Sequence, residues 1–236
     1  MLEQPELLRR LARALAHHAP AAALPLRLCA AYSELVGAEG GSIALDFATT
    51  DRLVLCATDD RSARIEDAQD VLREGPSLDA FQTGAAITGL TLLEQQRRWP
   101  LLDELVEGTF PGTSMHAFPI RPDSEVVGAL FVYRTGDSRL SMNTTEAQFL
   151  ANAVGIALLG ELDQHAVTDE TWSARDRVDQ ATGMVAAQLH VAAQDARAVL
   201  RAHAYARETT LAQVSTWVLD RQLTFADRDS ADGSAT

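Results

Sequence analysis

The chain has 236 residues, room for one large domain or for a medium domain followed by a small one, each with a core of its own. With 47% hydrophobic residues and only 14 glycines it is neither collagen-like, low-complexity nor wholly disordered. A net charge of −13, with 20 basic residues that are all Arg, argues against a protein that coats nucleic acid through bulk electrostatics.

Glu3 and Glu6 stand where a secretory signal would carry an apolar run. No apolar stretch reaches the ~18 to 20 residues that a bilayer span requires, Asn152 and Gly155 interrupting the longest. The expected location is the cytoplasm, with no membrane partner. Leu7, Leu8, Leu11 and Leu15 recur at helical spacing before Pro20, and a second helix is predicted from Pro25 to Val36, with proline tolerated in its first turn. Gly37, Gly40 and Gly41 stop it. The segments 42–47 and 52–57 then read as a hairpin about the polar turn 48–51.

Cys29 and Cys56, the two cysteines, show neither CxxC nor Cys/His ligand spacing, which predicts buried free thiols and neither a zinc site nor a disulfide framework. Charges dominate from Thr58 to Leu72. In EGPSLDAF, Ser77 is placed to cap a short helix ending near Gly84. AITGL (86–90) reads as a third strand, and LLEQQRRWPLLDELVEG as a helix broken at Trp99-Pro100, because the residue before proline is pushed out of the helical region. MHAFPI and VVGALFVY give strands four and five, the latter with the continuous apolar character of a central strand. Asn143 with Glu146 starts a helix whose apolar stripe of Leu150, Val154, Ala157, Leu158 and Leu162 runs to about Val167, a connector between the two halves of the chain.

Residues 175–219 carry three further amphipathic stripes: Val178, Ala181, Val185 and Leu189; Ala196, Val199, Leu200 and His203; Leu211, Val214, Ser215 and Val218. Thr210 with Gln213 is a capping box for the last helix. Three such stripes close a small bundle. Residues 226–236 are too poor in apolar side chains to order themselves and read as a flexible tail. The expected division is 1–165, 166–225 and 226–236, and the charge of the middle part is only −1 against −10 for the first.

The first part resembles a GAF domain of actinobacterial regulators, on Gly41-Ser42-Ile43, on Glu66 and Gln69 ahead of EGPSLDA, on Arg98-Trp99-Pro100, and on FPI followed by VVGALFVY. The resemblance implies an α+β fold, an antiparallel sheet flanked by helices, and a small-molecule pocket between the two. Ser77, Trp99 and Phe118 are the candidate pocket residues, each with a competing role in capping or core packing. His116 is a candidate haem ligand whose competing role is structural. The Lys-containing pattern of cyclic-nucleotide GAF domains is absent, so no cofactor is expected and any ligand is an unknown small molecule.

The second part resembles the ANTAR module, a three-helix RNA-binding antitermination domain, through Gln180, Ala181, Gly183, Ala196, Leu200, Arg201, Ala204, Leu211, Val214 and Val218. The resemblance implies binding to hairpins in nascent mRNA leaders, by a homodimer joined through terminal and connector helices, with no DNA partner and no catalysis. The RNA-contacting candidates are Arg175, Arg177, Gln180, Ala181, Gly183, Met184, Arg201, Ala204 and Tyr205, while Arg197, Arg207, Gln188, His190 and His203 add cations and donors. Small Ala181, Gly183 and Ala204 serve close helix packing equally well. Thr182 stands where the family commonly has Lys, His190 where it usually turns at Gly, and Ala192 where it caps with Ser or Thr. Two alternatives stay open: a protein-interaction regulator whose bundle has lost RNA binding, and a GAF-type redox enzyme, which requires a nucleophile or redox pair.

Overall fold

The computed structural model describes residues 3–18, 22–47, 50–136, 139–162, 169–207 and 209–225. The chain divides into two compact units, Met1–Val167 and Thr168–Thr236.

In the first unit, α1 (Gln4–His17) and α2 (Leu24–Val36) each take a proline in the first turn, where its missing N–H costs nothing. Gly37 ends α2 at φ +73, a left-handed conformation that favours glycine. Strands β1 (Gly40–Phe47) and β2 (Thr50–Ala57) form one hairpin, β3 (Thr113–Ile120) and β4 (Gly128–Thr135) another. They join through an antiparallel β1–β4 pairing in the order β2-β1-β4-β3. A Cβ at Gly41 would collide with the Phe131 carbonyl, so this position lets the two hairpins close on each other.

Alternation along the strands sends their side chains to two separate cores. Ile43, Leu45, Phe118, Ile120, Leu130 and Val132 pack with α1, α2 and α7 (Thr144–Leu162). Met115, Ala117, Ala129, Phe131 and Tyr133 pack on the other face, with α3 (Asp60–Leu72), α4 (Pro76–Thr83), α5 (Leu92–Arg98) and α6 (Pro100–Thr109). The first unit is thus the expected α+β sheet with flanking helices, covered on both sides.

Several expectations need correction. AITGL is not a strand: Ile87 exchanges both backbone hydrogen bonds with Ala117 at 2.8 Å as a single bridge beside β3, and Gly89 turns away at φ +73. The charge-rich segment after Thr58 is helical, because Asp59 and Ser62 form a reciprocal capping box at its start. Ser77 does not cap α4. Gly75 holds the N-cap position without a side-chain acceptor, and Ser77 lies inside the helix, buried. The last strand begins at Gly128, with Val126 and Val127 outside it. The connector helix is described as far as Leu162, and its expected continuation to Val167 lies outside the described residues, as does the tail 226–236.

The second unit is a bundle of α8 (Asp169–Leu189), α9 (Ala193–Ala206) and α10 (Leu211–Leu219), each packed on the other two. Val178, Ala181, Val185, Ala196, Leu200, Ala204, Leu211, Val214 and Val218 are its buried apolar interior, and Thr210 caps α10 through Gln213 N–H at 3.0 Å.

Candidate nucleic-acid interface and the buried hub of the first unit

On α8 the buried stripe Val178, Ala181 and Val185 leaves Arg177, Gln180, Gly183 and Ala187 along the opposite, exposed side. Glycine in the middle of a helix costs about 0.5–1 kcal/mol relative to alanine. Among the described residues packing does not offset that cost, because a Cβ on Gly183 would meet nothing within 4 Å. Gly183 therefore does not serve helix contact within the bundle, whereas Ala181 and Ala204, both fully buried, do. Met184 is half-buried. Tyr205, on the last turn of α9, exposes 52% of its surface. Arg175 is helical, but its side chain lies outside the described part of the structure.

The cations divide. Arg197 is buried and donates to Asp179 Oδ1 at 3.2 Å, tying α9 to α8, and Arg201 is half-buried. Arg207 is exposed, its guanidinium 5.5 Å from the centre of the Trp217 ring. His203 meets Phe225 edge-on at 4.7 Å between centroids, and burial, with Arg207 nearby, lowers its pKa. Gln188 Oε1 accepts the Phe225 N–H at 2.8 Å, so this side chain pins the chain beyond α10 to α8.

The three family departures have local meanings. Thr182 is buried, and its hydroxyl donates back to the Val178 carbonyl at 2.7 Å, so position 182 faces the bundle interior. His190 takes the turn after α8 at φ +56, the left-handed conformation a glycine would adopt without strain. Ala192 is the N-cap of α9 and offers no side-chain acceptor.

In the first unit the candidate pocket residues do not come together. Phe118 lies on the α2 and α7 face, edge-on to Tyr32 at 5.9 Å, while Tyr32 Oη donates to the Ala147 carbonyl at 3.1 Å. Trp99 is buried on the opposite face, where its Nε1 donates to Asp79 Oδ2 at 3.1 Å and Arg98 Nε to the same oxygen at 2.7 Å. His116 is buried beside Thr88, whose hydroxyl is 3.1 Å from Nδ1. Burial, with Arg134 adding, depresses its pKa to about 4, so it is neutral.

Ser77 belongs to a buried polar hub that composition alone does not reveal. Glu66 pairs with Arg52 of β2, and its Oε2 accepts from Ser42 Oγ of β1 at 2.6 Å, from Gln69 Nε2 at 3.2 Å and from Ser77 Oγ at 3.4 Å. Gln69 Oε1 in turn accepts the Ser77 N–H at 2.8 Å. Nearby, Glu74 Oε1 accepts the Leu102 N–H at 2.7 Å and so caps α6. Ser42, Glu66, Gln69 and Ser77, four of the residues that carried the resemblance, are thus one network joining β1, β2, α3 and α4.

Cys29 and Cys56, unpaired by any sequence spacing, are neighbours. Cys29 is buried on the inward side of α2, and Cys56, expected to be buried as well, packs against the same core from β2 but is partly exposed. The neighbouring Cys56 thiol, with burial adding, holds the Cys29 thiol well above the usual range. Among the described residues no group of three His, Cys, Asp or Glu side chains is placed to hold a metal ion, and no helix is long and apolar enough to cross a membrane.

Comparison with protein families matches residues 7–159 to the GAF domain and residues 168–219 to the ANTAR domain. No curated protein matches the chain.

Proposed function

Because the chain belongs to the GAF domain family and carries an ANTAR domain after it, we propose that it is a cytoplasmic, signal-responsive antitermination regulator whose bundle binds hairpins in nascent mRNA leaders. The observation that carries the reading is Gly183: an exposed mid-helix glycine that no packing among the described residues explains, between Gln180 and Ala187 on the open side of α8. A missing side chain there lets a backbone approach closely, and Gln180 and Arg177 on the same side supply a hydrogen-bonding amide and a cation. Tyr205 offers a stacking face for an unpaired loop base. The −1 charge of residues 166–225 makes each single bundle a weak phosphate binder.

Pairing of two copies compensates, since two linked bundles on two hairpins raise effective concentration. Leu8 on the terminal helix α1 and Ile156 on the connector helix α7 expose 44% and 59% of their surfaces, which supports that pairing. The first unit receives the signal, an unknown small molecule, and no catalytic step is required.

Filter binding of the full chain to an RNA carrying two small-loop hairpins tests the reading. Binding that weakens steeply with salt, and that falls further with Tyr205→Ala, supports it. Absent or salt-insensitive binding would favour the protein-interaction regulator, a reading that the inward-facing Thr182 and the Arg197–Asp179 pair also fit.

A further inference from the structure

The first unit places its two cysteines against one core, and the strand register sets the second of them there. Cys56 is the cross-strand partner of Ile43, whose side chain is fully buried in the core beneath α2. Cys29 is buried in that same core among Leu28, Ala31 and Tyr32, and α2 packs directly on β2. The sheet order leaves β2 at an edge, and Cys56 is partly exposed there while Cys29 is not. Cys56 is thus the residue on the solvent side, with Cys29 behind it.

We infer that Cys29 and Cys56 are a peroxide-convertible dithiol, in which Cys56 is the attacking residue and Cys29 the resolving one. The Cys56 thiolate attacks one oxygen of hydrogen peroxide and the O–O bond breaks. This gives Cys56 sulfenic acid and hydroxide. The Cys29 sulfur then displaces the sulfenic oxygen, which leaves as water with the Cys29 proton, and an S–S bond forms between α2 and β2. The balance is two thiols and one peroxide giving one disulfide and two waters. Oxidation fastens the edge hairpin to α2, and a dithiol reductant reverses it. This inference is independent of RNA recognition: it concerns the first unit alone and is read on sulfur, not on binding.

The test treats the reduced full chain with equimolar hydrogen peroxide and follows intact mass and thiol titre after unfolding. The expected product is a monomer lighter by two hydrogens with no titratable thiol, and digestion yields one peptide pair linking Cys29 to Cys56. Cys29→Ser should stop at a sulfenic acid on Cys56, trapped by a 1,3-dione. Cys56→Ser should react about tenfold more slowly than the parent, because the shielded thiol is left alone. Two intact thiols, added oxygen without loss of hydrogens, or a disulfide between two chains would overturn the inference. The parent protein decides the question even if a serine variant does not fold.

Discussion

Replacing Gly183 with alanine separates the two reasons a helix keeps a glycine. In α8 the added methyl enters open space among the described residues, so it brings no clash, and alanine recovers the backbone entropy that glycine loses. The gain is about 0.8–1 kcal/mol, and for a unit of this size about 1 kcal/mol raises the melting temperature by ~4–8 °C. Calorimetry of the full chain, with hydrogen exchange in α8 peptides to assign the transition, measures it. The same methyl stands where an RNA backbone would approach, and a loss of about 1.4 kcal/mol there is a tenfold fall in affinity. Higher stability with weaker RNA binding is the expected outcome. Higher stability with unchanged binding would refute a contact at Gly183, and lower stability would show that the methyl meets a packing surface after all.

Other perturbations address the rest of the structure. Glu66→Leu leaves the Arg52 guanidinium buried without this carboxylate, a loss of about 3–5 kcal/mol in urea unfolding, and Arg52→Met in the same chain should recover most of it. A loss below about 1 kcal/mol, the size of a surface pair, would contradict a buried hub. Ala192→Ser supplies the missing acceptor at the start of α9 and should stabilise the bundle by about 1 kcal/mol in thermal unfolding. Burial, with Asp70 adding and Arg52 opposing, pushes the Asp67 carboxyl from 3.8 up to about 7. The folded state therefore holds that proton longer than the unfolded one. Its contribution is fully present below about pH 4 and is lost as pH rises through 7. Asp67→Asn should match the parent near pH 4 and exceed its stability by a margin that grows to about pH 7 and then stays level. A constant margin across that range would show that Asp67 is not the titrating group.

Features that repeat at short range were legible in the sequence. The helices α1 and α8–α10, the break at Trp99-Pro100 and the β1–β2 hairpin all rest on local periodicity or on proline geometry, and each is present, although Leu8 of the α1 stripe is exposed. Helix α3 was illegible for a physical reason: it turns Ser62, Glu66 and Gln69 inward beside Ile65 and Ala68, so its buried face is polar and no apolar period marks it. AITGL has strand composition, but only Ile87 finds a partner. The site was less legible than the fold. That Thr182 faces inward and Gly183 outward depends on the rotation of α8 against α9 and α10. That Phe118 and Trp99 lie on opposite faces reflects a sheet covered on both sides. The adjacency of Cys29 and Cys56 is a product of register and packing that no spacing encodes.

The most direct measurement is ultraviolet crosslinking of the full-length chain in cells that express it, with sequencing of the recovered RNA. Enrichment of leader segments that fold into paired small-loop hairpins upstream of a terminator is the expected result, with crosslinked peptides from α8 and the end of α9. Recovery of no RNA above background, with protein partners retained instead, would contradict RNA recognition by the bundle.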